Sequence, residues 1–493
     1  MHAVRVVCLG GVFSILACGD DGGRASASAS QTDSASASVP MTSTVPTGGV
    51  SDTQGATTIS DEGTVSDSQG QTTTTLTPTT AAVETTTSPA TLTTGPDPTA
   101  TTEVTLTSLS DPSTTSDEST GDPCMGSGGF DFTYLWVANT SQGSISKINT
   151  ETLIEEGRYY ADPNPAGAST SRTSVNIDGH YVVVSNRASY TVTKVAANVV
   201  DCVDKNGNGA IETSQNKDDL LAWGTDECVL WNVPVNPISF GYQGGPRGTA
   251  WAPGDFNPQT CKYENQKVWV GWLDTPTHAT IGRFDGETGV QDATIGLDNW
   301  SQDVNVSPYG GAADGFGYVW FISAYREVIR IDSATLEVKR YPSPGIQMYG
   351  MTVDGKGNVW FGTYSNTNMA YFDAKTETFV EIPGTAENHR GIAVDGNGMV
   401  WAATNAGGTH GCGLNQVDST TNTFVQFHTF DQCGTPVGVS IDVAGYVWMV
   451  DYSGWAYRID PDTYEKVLVT IPGDHYTYSD MTGGGLVGAV MPG

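Results

Sequence analysis

The chain has 493 residues, 22 of them basic and 54 acidic, for a formal charge of −32. So acidic a balance argues against a nucleic-acid partner and against binding to anionic membrane surfaces. Residues 1–122 hold fourteen of the acidic residues with only Arg5 and Arg24, so the remainder still stands near −20.

The first residues read as a targeting segment. Arg5 opens it, an apolar run extends from Val6 to Ala17, and Ile15-Leu-Ala-Cys18-Gly19 closes it. The run is too short to span a bilayer and has the length of a signal-peptide core. Its ending resembles the bacterial lipobox, although Leu16 replaces the small residue commoner there. Lipidation is therefore expected at Cys18, after removal of residues 1–17. Contact with a membrane is expected only through that lipid.

Residues 18–122 are expected to form a disordered linker. From Ala25 to Asp122 there is no aromatic residue, no Lys, no Arg and no Cys, while Ser, Thr, Pro, Ala and Gly dominate. Such a segment cannot bury enough apolar surface to offset chain entropy. A flexible coil of this length has an end-to-end distance of roughly 50–60 Å.

From residue 123 the chain is repetitive. Tyr349-Gly-Met-Thr-Val-Asp-Gly-Lys-Gly-Asn-Val-Trp-Phe361, Arg390-Gly-Ile-Ala-Val-Asp-Gly-Asn-Gly-Met-Val-Trp-Ala402 and Val437-Gly-Val-Ser-Ile-Asp-Val-Ala-Gly-Tyr-Val-Trp-Met449 align. Each reads as a short strand, a tight turn and a second strand marked by Val-Trp. A third strand ends in a recurring turn, as in Ile331-Asp-Ser-Ala-Thr and Phe372-Asp-Ala-Lys-Thr, and a fourth follows. Four strands every forty to fifty residues make one propeller blade. Trp136, Trp269, Trp320, Trp360, Trp401 and Trp448 mark six blades, and His180-Tyr-Val-Val-Val184 supplies a seventh. The fold expected is an all-β, seven-bladed β-propeller over residues 123–493. Its first blade lacks an inner strand, so a C-terminal strand around Tyr478-Ser-Asp-Met-Thr482 is expected to close the ring. The tryptophans read as packing between blades.

An insertion at about 200–230, expected between blades two and three, contains Asp204-Lys-Asn206-Gly-Asn208-Gly-Ala210-Ile-Glu212. Its alternating oxygen donors follow a calcium loop, with Asp204, Asn206, Asn208, the Ala210 carbonyl and Glu212 as expected ligands of a structural calcium ion. Gln215 stands where a bidentate Glu is usual. The alternative is an Asn-Gly turn without metal. Six cysteines remain in the folded part, an even set that reads as disulfides in an exported chain. Cys202–Cys228 and Cys412–Cys433 each close a local loop, which leaves Cys124 and Cys261 by elimination.

The starts of the inner strands lie nearest the axis at one mouth of a propeller. Arg172, Arg247, Tyr349 and Arg390 fall there, with Asp303 and Asp480 alongside. One reading is an anion- or carboxylate-binding pocket. The other pairs the arginines with those aspartates merely to close the channel.

The repeats resemble those of the virginiamycin B lyase, or streptogramin lyase, family over roughly residues 130–485. That resemblance implies a seven-bladed propeller with functional groups on the axial face. In the family it also implies elimination chemistry with a magnesium ion held by glutamates and a histidine base. Neither the glutamates nor the histidine is evident here. Three residues after each marker Trp stand Asn139, Trp272, Ser323, Thr363, Thr404 and Asp451, and His389 lies one residue from the position of the base. The sequence therefore reads as a non-catalytic binding or interaction module, lipid-anchored outside the cytoplasm at the outer membrane or cell surface. Its partner would be an unidentified small molecule or surface protein. The alternative is a lyase or lactonase-type enzyme related to streptogramin lyases.

Overall fold

The computed structural model describes residues 133–235, 243–300 and 306–491. Cys18, Cys124, Asp303 and the linker lie outside them. Seven antiparallel sheets follow one another along the chain and form a seven-bladed β-propeller. Six have four strands. The first has three, Tyr134–Asn139, Ser144–Asn149 and Glu155–Tyr160. The end of the chain completes it: Trp136 N donates to Met481 O at 2.8 Å, and Asn139 bridges His475.

The repeated motif works through a single aspartate. In blade 5, Asp354 Oδ1 accepts the backbone N–H groups of Lys356 and Asn358, which shapes the turn. Its Oδ2 accepts the indole N–H of Trp360 at 2.9 Å. Asp314–Trp320, Asp395–Trp401 and Asp442–Trp448 repeat that bond at 2.7, 2.8 and 2.8 Å. Each of these turns carries a glycine with φ between 79° and 88°, a conformation costly for residues with a Cβ. The marker tryptophans are buried between blades, and Val183 takes their place in blade 2. The third-strand turn uses the same device, with Asp332, Asp373, Asp418 and Asp460 each accepting two backbone N–H groups.

Three features depart from the sequence reading. The insertion lies inside blade 2, because Val229–Pro234, which follows it, pairs with Thr191–Ala196 as that blade's fourth strand. Blade 3 carries an extra hairpin, Asp255–Asn257 with Lys262–Glu264, between its first and second strands. A C-terminal helix, Gly484–Val490, packs against the far ends of the inner strands of blades 4 to 7. Among the described residues no helix is long and apolar enough to cross a membrane.

Two disulfides are in place, Cys202–Cys228 with Cα atoms 4.5 Å apart and Cys412–Cys433 at 5.8 Å. Cys261 is also disulfide-bonded.

Candidate functional site: an arginine and tyrosine cluster on the axis

The inner strands of blades 5 and 6 begin Met348-Tyr349-Gly350 and His389-Arg390-Gly391, and both bulge at the second and third residues. Blade 2 has the same bulge in Thr170-Ser171-Arg172. Ser171 therefore holds the place of Tyr349 and Arg390, and Arg172 stands where the sister strands have glycine. In those strands a Cβ would meet a neighbouring backbone oxygen at 2.1 Å (Gly350) or 2.6 Å (Gly391). Blade 2 instead sends a long cationic side chain from this position into the axis.

That guanidinium lies 3.9 Å from the ring centre of Tyr478, 4.7 Å from Tyr309 and 5.3 Å from Tyr476. Such contacts stabilise a cation most strongly where water is excluded, and Arg172 is 1% exposed. Nη1 donates to Ser171 Oγ at 3.2 Å and Nε to Tyr309 O at 3.4 Å. Nη2 has no hydrogen-bond partner among the described residues. Arg390, 2% exposed, donates from Nη1 to the hydroxyls of Tyr349 at 3.0 Å and Tyr478 at 3.2 Å. With the Asn405 amide turned so that its oxygen faces the guanidinium, Asn405 accepts from Nη2 and Nε. Arg247 donates to Gln243 Oε1 at 2.6 Å and lies over Tyr309.

The tyrosines form their own chain. Tyr478 donates to Tyr349 at 3.1 Å, and the Tyr476 hydroxyl lies 2.6 Å from those of both Tyr349 and Tyr309. Burial pushes the Tyr349 and Tyr478 hydroxyls above the usual phenol range, against the downward pull of Arg390. The phenols are therefore neutral near pH 7. Among the described residues no carboxylate forms an ion pair with Arg172 or Arg390. Asp480 is engaged by the segment that follows it. Its carboxylate accepts the backbone N–H groups of Gly483 at 2.8 Å and Leu486 at 2.9 Å, holding the start of the C-terminal helix.

Sequence reasoning placed Arg172, Arg247, Tyr349 and Arg390 near one mouth, and the fold brings them together. It missed Tyr309, Tyr476 and Tyr478. Tyr309 was findable, since it directly precedes a Gly-Gly-Ala-Ala inner strand as Arg390 precedes its glycine. Tyr476 lies in the closing segment outside the repeat register, which leaves no signal for it.

His389 is not free for proton transfer. It is fully buried, with Nδ1 2.9 Å from Thr363 O and Nε2 2.9 Å from Asn415 Nδ2. Burial lowers its pKa to about 4, and His428 is held at about 4 for the same reason. The unfolded chain takes up a proton at His389 near pH 6.5 that the folded chain refuses until about 4, so stability falls as pH drops through that window. The shift corresponds to about 3 kcal/mol. Urea unfolding at pH 7 and 4.5 checks this. His389→Gln is expected to be less stable at pH 7 but to show a shallower acid slope, whereas an unchanged slope would contradict the assignment.

In the calcium-like loop, Asp204 accepts the N–H groups of Gly207 and Gly209, and these bonds hold its carboxyl below the usual range. Asn206 and Asn208 both donate to Glu212 at 2.7 Å. Glu227, absent from the sequence reading, anchors the loop by accepting the N–H groups of Lys205, Asn206 and Glu212. Among the described residues no group of three or more His, Cys, Asp or Glu side chains is disposed to hold a metal. Any ion here would rest on amide and carbonyl oxygens as well as carboxylates.

Fold and site together define a seven-bladed propeller whose axis is cationic and aromatic. No family model matches the chain, and no curated protein matches it. Among solved structures it is similar to a functionally unknown protein from Desulfotomaculum acetoxidans, at 13% identity over 70% of this chain and 97% of that one, with a TM-score of 0.49. It is also similar to a streptogramin B lyase, at 18% identity over 47% of this chain and 70% of that one, with a TM-score of 0.37. A catalytically inactive virginiamycin B lyase from Staphylococcus aureus with quinupristin matches at 12% identity over 62% and 85%, with a TM-score of 0.43. Likeness at these identities concerns fold and does not transfer chemistry.

Proposed function

We propose that this chain is a lipid-anchored extracytoplasmic binding module that receives an anionic group at the axial arginine and tyrosine cluster. One observation carries the reading. Two guanidinium groups are buried on the axis with phenols and amides as neighbours, and among the described residues no carboxylate pairs with either. Taking a charge out of water is expensive unless an opposite charge meets it. A site built from hydrogen-bond donors and cations suits an anion and does not suit a metal ion. The test is a thermal-shift series with the wild-type protein at fixed ionic strength, using acetate, phosphate and chloride as probes. Stabilisation by at least one, lost in the Arg172→Met variant, is expected. Insensitivity to every anion would refute the reading.

The anchor rests on the Ile-Leu-Ala-Cys18 ending, and the compartment on that ending together with the disulfides. Cys18→Ser is expected to move the protein from the membrane fraction to the soluble fraction. Unchanged fractionation would rule the anchor out.

Calcium is proposed as a structural ion at Asp204, Asn206, Asn208, the Ala210 carbonyl and Glu212, under the Cys202–Cys228 staple. A bound ion stabilises only the state that holds it. Asp204→Ala is therefore expected to lower the melting temperature in calcium more than in chelator. Equal shifts in the two buffers would remove the site.

A further inference from the structure

We propose that the chain ahead of the propeller is strapped to one face of it by a Cys124–Cys261 disulfide, which leaves the arginine and tyrosine mouth on the opposite face clear for its ligand. The choice of Cys124 rests on the reading of Cys18 as the lipidated residue.

The cysteines narrow the partner. Cys261 is disulfide-bonded, and the other four described cysteines are paired with one another. Its partner is therefore Cys8, Cys18 or Cys124. Removal of residues 1–17 takes Cys8 away, and a thioether to lipid occupies the sulfur of Cys18. Cys124 remains, in a compartment where disulfides persist.

The strand register fixes the face. In blade 5 the second strand starts at the aspartate turn, where Val359 pairs with Val353, and ends beside the mouth, where Thr363 pairs with Met348. Tyr134 stands two residues before its marker Trp136, as Tyr318 does before Trp320. The chain therefore enters the propeller on the turn face. The hairpin that carries Cys261 joins Ala252 to Lys267, which pair at that same end of blade 3. Tyr349 and Arg390 stand at the other end of their strands.

The distance is within reach. Only blade 2 separates blade 1, where the chain enters, from blade 3. Packed sheets lie about 10 Å apart, so the span is about 20 Å. The residue steps from Cys124 to Thr133 extend to roughly 30 Å. The base of the hairpin is also bound to the intervening blade. Gln266 Nε2 donates to Asp178 Oδ2 at 3.3 Å, and Asn176 Nδ2 donates to Gln266 Oε1 at 3.2 Å. The bond closes a loop that holds the whole of blades 1 and 2, and a cross-link over so long a loop restricts the unfolded chain.

The experiment is disulfide mapping by mass spectrometry on the full chain, extracted from membranes and digested without reduction. A peptide pair joining Cys124 to Cys261 is expected. Pairing of Cys261 with Cys18 would overturn the strap and the lipid anchor together. A free Cys124, or Cys261 paired with a second copy, would overturn the strap alone. Hydrogen exchange then reads the face, comparing the wild type with a double variant, Cys124→Ser and Cys261→Ser. Faster exchange in the variant is expected at residues 176–180 and 253–266, with no change at 348–350 and 389–391. Faster exchange at the mouth, or none on the turn face, would overturn the placement. The mapping uses the wild-type protein and decides the bond even if the variant fails to fold.

Discussion

Deletion of residues 474–491 is expected to leave no cooperatively folded propeller. This segment completes blade 1, with Trp136 N donating to Met481 O and Thr140 N to Asp474 O, both at 2.8 Å. It also ties blade 2 to the ring, because Ser171 Oγ donates to Tyr476 O at 2.8 Å. Met481 is buried against Leu135, Val137 and Trp448, while Tyr476 and Tyr478 pack with Val437. Full burial of each large apolar side chain contributes about 1.5–3 kcal/mol. Loss of several approaches the whole stability of a typical domain, about 5–15 kcal/mol. The first sheet would in addition expose an unpaired edge, a template for association. Circular dichroism melting and limited proteolysis of the truncated chain check this. A truncated chain that melts within a few degrees of the full one would contradict it.

Trp401→Ala is expected to be the most damaging single substitution in the blades. The indole is fully buried and lies 5.1 Å from the His428 ring. Truncating a buried Trp to Ala costs about 3–5 kcal/mol through lost contacts and the cavity left behind. The Asp395 carboxylate, buried beside it, also loses the N–H that meets Oδ2 at 2.8 Å. An unsatisfied buried acceptor adds about 1–3 kcal/mol. Trp401→Phe separates the two terms, since it keeps most of the bulk and removes only the donor. Denaturant unfolding is expected to order the proteins wild type, Phe, Ala. Equal stability of the Phe variant and the wild type would show that the Asp395 bond contributes nothing.

The same residues explain how far the fold can be read from the chain. Asp354, Gly357 and Trp360 are each required by a local turn or a local bond, so their spacing recurs wherever the turn recurs. Blade count and strand order follow from that recurrence. The axis is different in kind. The inner-strand starts of five blades contribute one residue each and the closing segment two, and these meet across the ring with no fixed spacing in sequence. Arg172 illustrates the difficulty: Thr170-Ser171-Arg172 lacks the glycine that fixes the register elsewhere, and only strand pairing shows that Ser171 takes the place of Arg390. Asp480 lies alongside the inner-strand starts in the sequence, yet its carboxylate holds the start of a helix that no repeat announces. The insertion was misplaced by one strand because its own sequence says nothing of which strand follows it.

The most direct test of the anion seat is anomalous diffraction from a crystal of the wild-type protein grown in bromide. A bromide peak is expected on the propeller axis, at the cluster of Arg172, Arg390, Tyr349 and Tyr478. Bromide peaks confined to the outer surface, with none on the axis, would contradict it.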